Sequence, residues 1–104
     1  MLEPRKVFTN KTGTGVSELF TAQWYPDVAA VLELTYGGTP TITVALEGSM
    51  DRTNWVSLAT GTYTSGTPKN LEKPVTGWYL YYRLNITANT NVTVESAYIG
   101  AGGA

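Results

Sequence analysis

Thr41-Ile-Thr-Val-Ala-Leu-Glu-Gly-Ser-Met-Asp-Arg-Thr-Asn-Trp-Val-Ser-Leu58 reads as a strand, a polar reversal and the start of a second strand. Ile42, Val44 and Leu46 share one side of a period-two element, and Thr41, Thr43, Ala45 and Glu47 share the other. One face is apolar and one is wet. Residues 48–54 then supply Gly, Ser, Asp and Asn, whose backbone freedom or short side chains suit a turn, before Trp55 and Val56 resume the strand pattern. Residues 41–58 are therefore expected to form a β-hairpin.

The segment before it extends the same pattern. Val28, Ala30, Leu32, Leu34 and Tyr36 alternate with Ala29, Val31, Glu33 and Thr35. A helix capped at Pro26-Asp27 competes with this reading. The β-branched residues and the closing Tyr-Gly-Gly decide for a strand. Gly37-Gly38-Thr39-Pro40 reads as a second hairpin turn, so 28–36 and 41–48 are expected to pair with each other. Further out, 16–25 alternate up to Pro26, and 78–88 place Leu80, Tyr82, Leu84, Ile86 and Ala88 on one face. Asn89-Thr-Asn91 reads as a tight turn into a last strand over 92–99. Residues 59–76 lose the apolar pattern and form the longest expected loop, with 62–64 a candidate edge strand.

Residues 1–15 are expected as an N-terminal arm, 16–99 as the single domain and 100–104 as a flexible tail. Six to eight short strands with turn signals between them, and no credible helix, predict an all-β fold. Its expected form is an antiparallel β-sandwich or a jelly-roll-like small barrel.

Composition limits the chemistry. The 104 residues carry a net charge of -1 and only 14% charged side chains, so no basic patch recommends a nucleic acid as partner. No segment has the apolar length of a membrane span, and the N-terminus lacks the core of a signal peptide. There is no histidine and no cysteine, which removes Ser-His and Cys-His nucleophile systems and the commonest metal ligands. Carboxylate chemistry would need two of Glu33, Glu47 and Glu95 together, yet each lies in the polar phase of its strand. The turn around Asp51 lacks the acidic density of a calcium loop. The Asn-x-Thr triplets at Asn10, Asn85 and Asn91 are expected in a threonine-rich chain. The expectation is a non-enzymatic protein without cofactor or metal.

Aromatic residues are the remaining candidates. Tyr79 and Tyr81 fall on the face opposite Tyr82, where exposed rings beside Arg83 and Asn85 stack on sugars or anchor a protein interface, and where a covered sheet makes them core.

The run from Val44 to Leu58, the later Trp78-Tyr-Leu-Tyr-Tyr-Arg-Leu-Asn-Ile-Thr87 and the final Val92-Thr-Val94 together resemble small β-sandwich structural proteins of tailed-bacteriophage virions. The shared pattern is a strand ending in Gly-Ser, an Asp/Asn turn, a Trp and a later Tyr-x-x-Arg strand. Met50 and Arg52 depart from it, standing where glycine or short polar residues are usual. The resemblance implies a capsid decoration or cement protein that, as a homotrimer, binds the major capsid protein on the head surface and bridges neighbouring subunits. It would be soluble in the host cytoplasm before assembly. A carbohydrate-binding or adaptor module of a phage tail or fibre is the alternative. Under this reading the arm and the long loop make the contacts, through Leu2, Pro4, Arg5, Lys6, Phe8 and Tyr63 together with Tyr79 and Tyr81.

Overall fold

A computed structural model describes residues 2–75 and 77–103. Seven strands form one antiparallel sheet: β1 (Leu2–Thr12), β2 (Gly15–Val16), β3 (Phe20–Thr21), β4 (Asp27–Ser49), β5 (Val56–Tyr63), β6 (Lys69–Glu72) and β7 (Tyr81–Gly102). The path of neighbours is β1-β7-β4-β5, with β2 and β3 also on β7 and β6 also on β4; the sheet is not closed into a barrel. Among the described residues there is no helix.

The hairpin expected over 41–58 is present. The second half of β4 pairs with β5 from Ile42↔Tyr63 to Gly48↔Val56. The pairing expected between 28–36 and 41–48 is not. Both segments belong to β4, a single strand of 23 residues, and both pair with β7. Fully extended, that length would run about 76 Å at roughly 3.3 Å per residue. The longest dimension of the molecule is only 42 Å, so β4 must bend.

The bend lies where turns were expected. Residues 37–40 pass between the pairs Tyr36↔Val92 and Thr41↔Thr90, leaving Asn91 alone opposite them. Gly38 has φ +54° and Asn91 φ +58°, so both strands enter the left-handed region at one place. A side chain at Gly38 would meet the Asn91 amide at 2.9 Å. Asn89 secures β7 across the bend: its Oδ1 accepts from the Val92 N–H at 3.1 Å, and its Nδ2 donates to the Val92 carbonyl at 2.9 Å. These residues bend two long strands instead of reversing them.

Burial follows the expected alternation in β4, where Val28, Ala30, Leu32, Leu34, Ile42, Val44 and Leu46 all point into the core. In β7 the phase changes. Leu84, Ile86, Val92 and Val94 are buried, and so are Ala97, Ile99 and Ala101. Pairing steps from Leu34↔Val94 to Glu33↔Ser96, which makes Glu95 an extra residue that shifts all later side chains to the other phase. Ala97 and Ile99 therefore face in, and Tyr98 faces out. Residues from both halves of β4 and β7 meet in one apolar cluster with Phe8, Phe20 and Leu71.

Two expected loose ends are ordered. The 1–15 arm contains β1, which pairs with β7 from Leu2↔Ala101 to Thr12↔Thr93 and buries both Val7, the extra residue of a bulge, and Phe8 after it. The 100–104 tail begins as strand: Ala101 is buried and pairs with Val28. Both segments carry apolar residues that gain burial only by pairing. The strand expected over 16–25 is reduced to β2 and β3. Between them Ser17 is buried and stitches to β7, its N–H donating to the Leu84 carbonyl at 2.8 Å and its Oγ accepting from the Leu84 N–H at 2.9 Å. About half of the long loop over 59–76 is strand, holding most of β5 and all of β6; Thr76 lies outside the described residues.

Candidate interaction surfaces

Each half of the sheet turns one face away from the core cluster. On the half formed by β4 and β5, the face begins at the turn after β4. Asp51 organises that turn. Its carboxylate accepts from the N–H groups of Thr53 and Asn54 at 2.8 Å each, from the Asn54 amide at 2.7 Å and from the Ser49 hydroxyl at 3.0 Å. The Asn54 and Thr53 N–H groups are the main cause holding the Asp51 carboxyl well below the usual carboxylate range. A depressed folded-state value means the turn's stabilisation is present above the unfolded carboxylate pKa of about 4 and is lost as pH falls below it. Urea midpoints measured from pH 7 down to pH 3 are expected to fall more steeply for the native chain than for Asp51→Asn; parallel curves would contradict this.

Beyond the turn, Glu47, Arg83 and Trp55 form a layered cluster. Glu47 accepts from Arg83 Nε at 2.8 Å and from Asn85 Nδ2 at 3.1 Å, and the Arg83 guanidinium lies 4.1 Å from the centre of the Trp55 ring. Cross-strand register explains the grouping, because Arg83 and Asn85 are opposite Glu47 and Ala45. Arg52, at φ +67°, stands 5.2 Å over the ring of Tyr81. Two aromatic rings thus each have one face occupied by an arginine.

The outer face of the other half is more apolar. Val31 and Tyr98 are opposite one another and about 40% exposed, at 40% and 39%. With Leu2, Pro4, Gly100 and the 93% exposed Val75 they line an open groove of about 940 Å³. Lys6 stands 5.7 Å over the Tyr98 ring, and Arg5 pairs with Glu18 at 2.6 Å, both side chains more than half exposed.

The eight expected contact residues are thereby divided. Leu2 and Pro4 line the groove, Arg5 and Lys6 are exposed beside it, and Tyr81 lies on the opposite half. Phe8 is corrected: it is only 7% exposed and packs in the core, because the bulge at Val7 turns it inward. Tyr79 is corrected from a face shared with Tyr81. The chain is not yet strand at 79, and its ring packs edge-on against Tyr82 at 6.3 Å. Tyr63 is half-buried at the end of β5, its hydroxyl donating to the Asn70 carbonyl at 3.4 Å. Burial, and then the nearby Tyr36, raise its pKa. Val31 and Tyr98 were missed. Val31 was legible as an apolar residue in a polar phase, whereas Tyr98 was hidden by the phase change at Glu95. Among the described residues no three acidic side chains gather where they would hold a metal ion.

No protein-family model and no curated protein matches the sequence. Among solved structures, the SPBc2 prophage-derived protein YomS is similar with a TM-score of 0.64, over 94% of this chain and 92% of that one, at 10% identity. At that identity the likeness is one of fold, and it extends over nearly the whole of both chains.

Proposed function

We propose that the chain is a non-enzymatic structural protein of a bacteriophage virion, and within that class a decoration protein that binds the major capsid protein on the outer surface of the head. The observation that carries this reading is the likeness of fold to a prophage-derived protein over 94% of the chain. The sequence pattern from Val44 to Thr87 points the same way. Chemistry is consistent: the chain has no histidine or cysteine, and its most enclosed carboxylate, Glu47, is engaged by Arg83 and Asn85. The capsid-facing surface is the groove lined by Leu2, Pro4, Val31 and Tyr98, where apolar contact dominates over ion pairs.

The test is to mix purified protein with undecorated heads, and separately with tails, of the phage that encodes it, then count copies per sedimented particle. Copies in the hundreds, abolished by Val31→Lys with Tyr98→Lys, support decoration. No binding to heads overturns it. A handful of copies confined to tails supports the alternative, a tail or fibre module that binds carbohydrate or acts as an adaptor. What favours that alternative is the pair of arginine-backed rings, Trp55 and Tyr81. A glycan array in which Trp55→Ala and Tyr81→Ala lose the signal would establish it.

A further inference from the structure

The edges of the sheet are guarded unequally. β1 is an edge strand of 11 residues, but it carries Glu3, Pro4, Arg5, Lys6 and Lys11 and two register shifts. β6 is an edge of four residues with Lys69 at one end and Glu72 at the other. β2 and β3 have two residues each. These are the devices by which proteins keep sheet edges from pairing with other chains. β5 has only one of them, a bulge near its start.

β5 is eight residues long, Val56-Ser-Leu-Ala-Thr-Gly-Thr-Tyr63, without a charge or a proline. It lies inside a run of sixteen uncharged residues, 53–68, which at the chain's 14% charge would ordinarily hold about two. Its one strand neighbour is β4. Among the described residues no side chain and no loop main chain bonds to the main chain of 56–63. Its outer row of N–H and C=O groups is open for pairing.

The run is also self-complementary. After the bulge between Ser57 and Ala59, residues 59–63 are in regular register with β4. Thr60 and Thr62 point to the outer face with Ala45 and Thr43, and the Thr43 and Thr62 hydroxyls are 3.1 Å apart. Ala59 and Tyr63 point the other way. An antiparallel two-fold through Gly61 sets Thr60 opposite Thr62 of the partner subunit and Ala59 opposite Tyr63 of the partner subunit. Threonine meets threonine on one face, and a small residue meets a large one on the other. Glycine meets glycine on the axis, and no charge meets its like.

We infer that β5 pairs with β5 of a second copy about a two-fold axis at Gly61, joining two sheets into one. The arrangement is isologous and closes at two, in place of the threefold that the sequence resemblance implies. It does not depend on the capsid-binding reading, since it needs only this chain.

Sedimentation velocity over rising protein concentration is expected to show a dimer, with the outward-pointing amides of 59–63 gaining hydrogen-exchange protection as it forms. Thr60→Lys with Thr62→Lys places lysine opposite lysine and is expected to abolish the dimer; Thr9→Lys on the β1 edge is expected to leave it intact. Because a lysine pair in a strand also threatens folding, the decisive arm is a mixture with Thr60→Glu plus Thr62→Glu, which is expected to restore a mixed dimer. A chain that stays monomeric overturns the inference. So does an oligomer of any size that the lysine pair leaves unchanged, or a lost dimer that the glutamate partner does not restore.

Discussion

Tyr82→Ala is expected to lower the unfolding free energy by about 4 kcal/mol, the scale for removing a large buried aromatic side chain. Tyr82 is the largest side chain with no exposed surface. It lies opposite Gly48 on β4 and Phe20 on β3, so it joins the centre of the sheet to its short flanking strand. Its hydroxyl accepts from the Tyr79 N–H at 3.2 Å, and its ring meets that of Tyr79 at 84°. Burial raises the phenol's pKa, so the hydroxyl stays protonated at any ordinary pH. Gly48 completes the arrangement, because a side chain there would stand 2.8 Å from the Tyr79 ring. Against a total stability of roughly 5–15 kcal/mol for a domain, the loss is a large fraction. Tyr82→Phe keeps the packing and removes only the acceptor for a half-buried N–H, with an expected cost of about 1 kcal/mol. Urea unfolding followed by tryptophan fluorescence separates the two, with the denaturant slope unchanged. Losses of equal size would mean that the hydroxyl and not the ring matters.

The contrast between Tyr82 and Tyr79 shows what kind of information the sequence held. Strict alternation identified the buried faces of residues 28–34, 42–46 and 82–86, because a strand covered on one side must repeat every second residue. Chain reversal was another matter. Gly37-Gly38-Thr39-Pro40 and Asn89-Thr-Asn91 have the residues a turn needs, and a turn and a bend use the same left-handed geometry. Which one forms depends on the partner strand. Here the two sites face each other across β4 and β7, so each lets its strand bend where the other does. Likewise, one extra residue at Glu95 inverts the phase of everything after it, and no local signal marks it. Phe8 and the first strand were misplaced because β1 pairs with residues about ninety positions away. Of the candidate surface, Leu2 and Pro4 were legible as apolar residues in a charged segment. Tyr98 required the register.

Glu47→Ala is expected to cost about 2 kcal/mol, more than an exposed ion pair is worth, because the group is largely buried and held by two partners. The side chains of Glu47 and Arg83 retain 13% and 21% of their exposure. Removing the carboxylate leaves Arg83 Nε and the Asn85 amide without their acceptor, while Trp55 still covers one face of the guanidinium. Arg83 keeps enough exposure to recruit water, which holds the loss below the roughly 3–5 kcal/mol seen when a fully buried pair is broken. Replacing both partners together, Glu47→Leu with Arg83→Met, removes the desolvated charges as well as their attraction, and is expected to cost less than Glu47→Ala alone. The coupling energy from the full cycle, measured by urea unfolding, should then be on the order of 1–2 kcal/mol and change little between low and moderate salt, since the pair is shielded from mobile ions. A cycle in which the two single losses simply add would show that Trp55, and not Glu47, holds Arg83 in place. Arg83 would then be free to leave the indole face when a ligand approaches, and the tail-module reading of this surface would be strengthened.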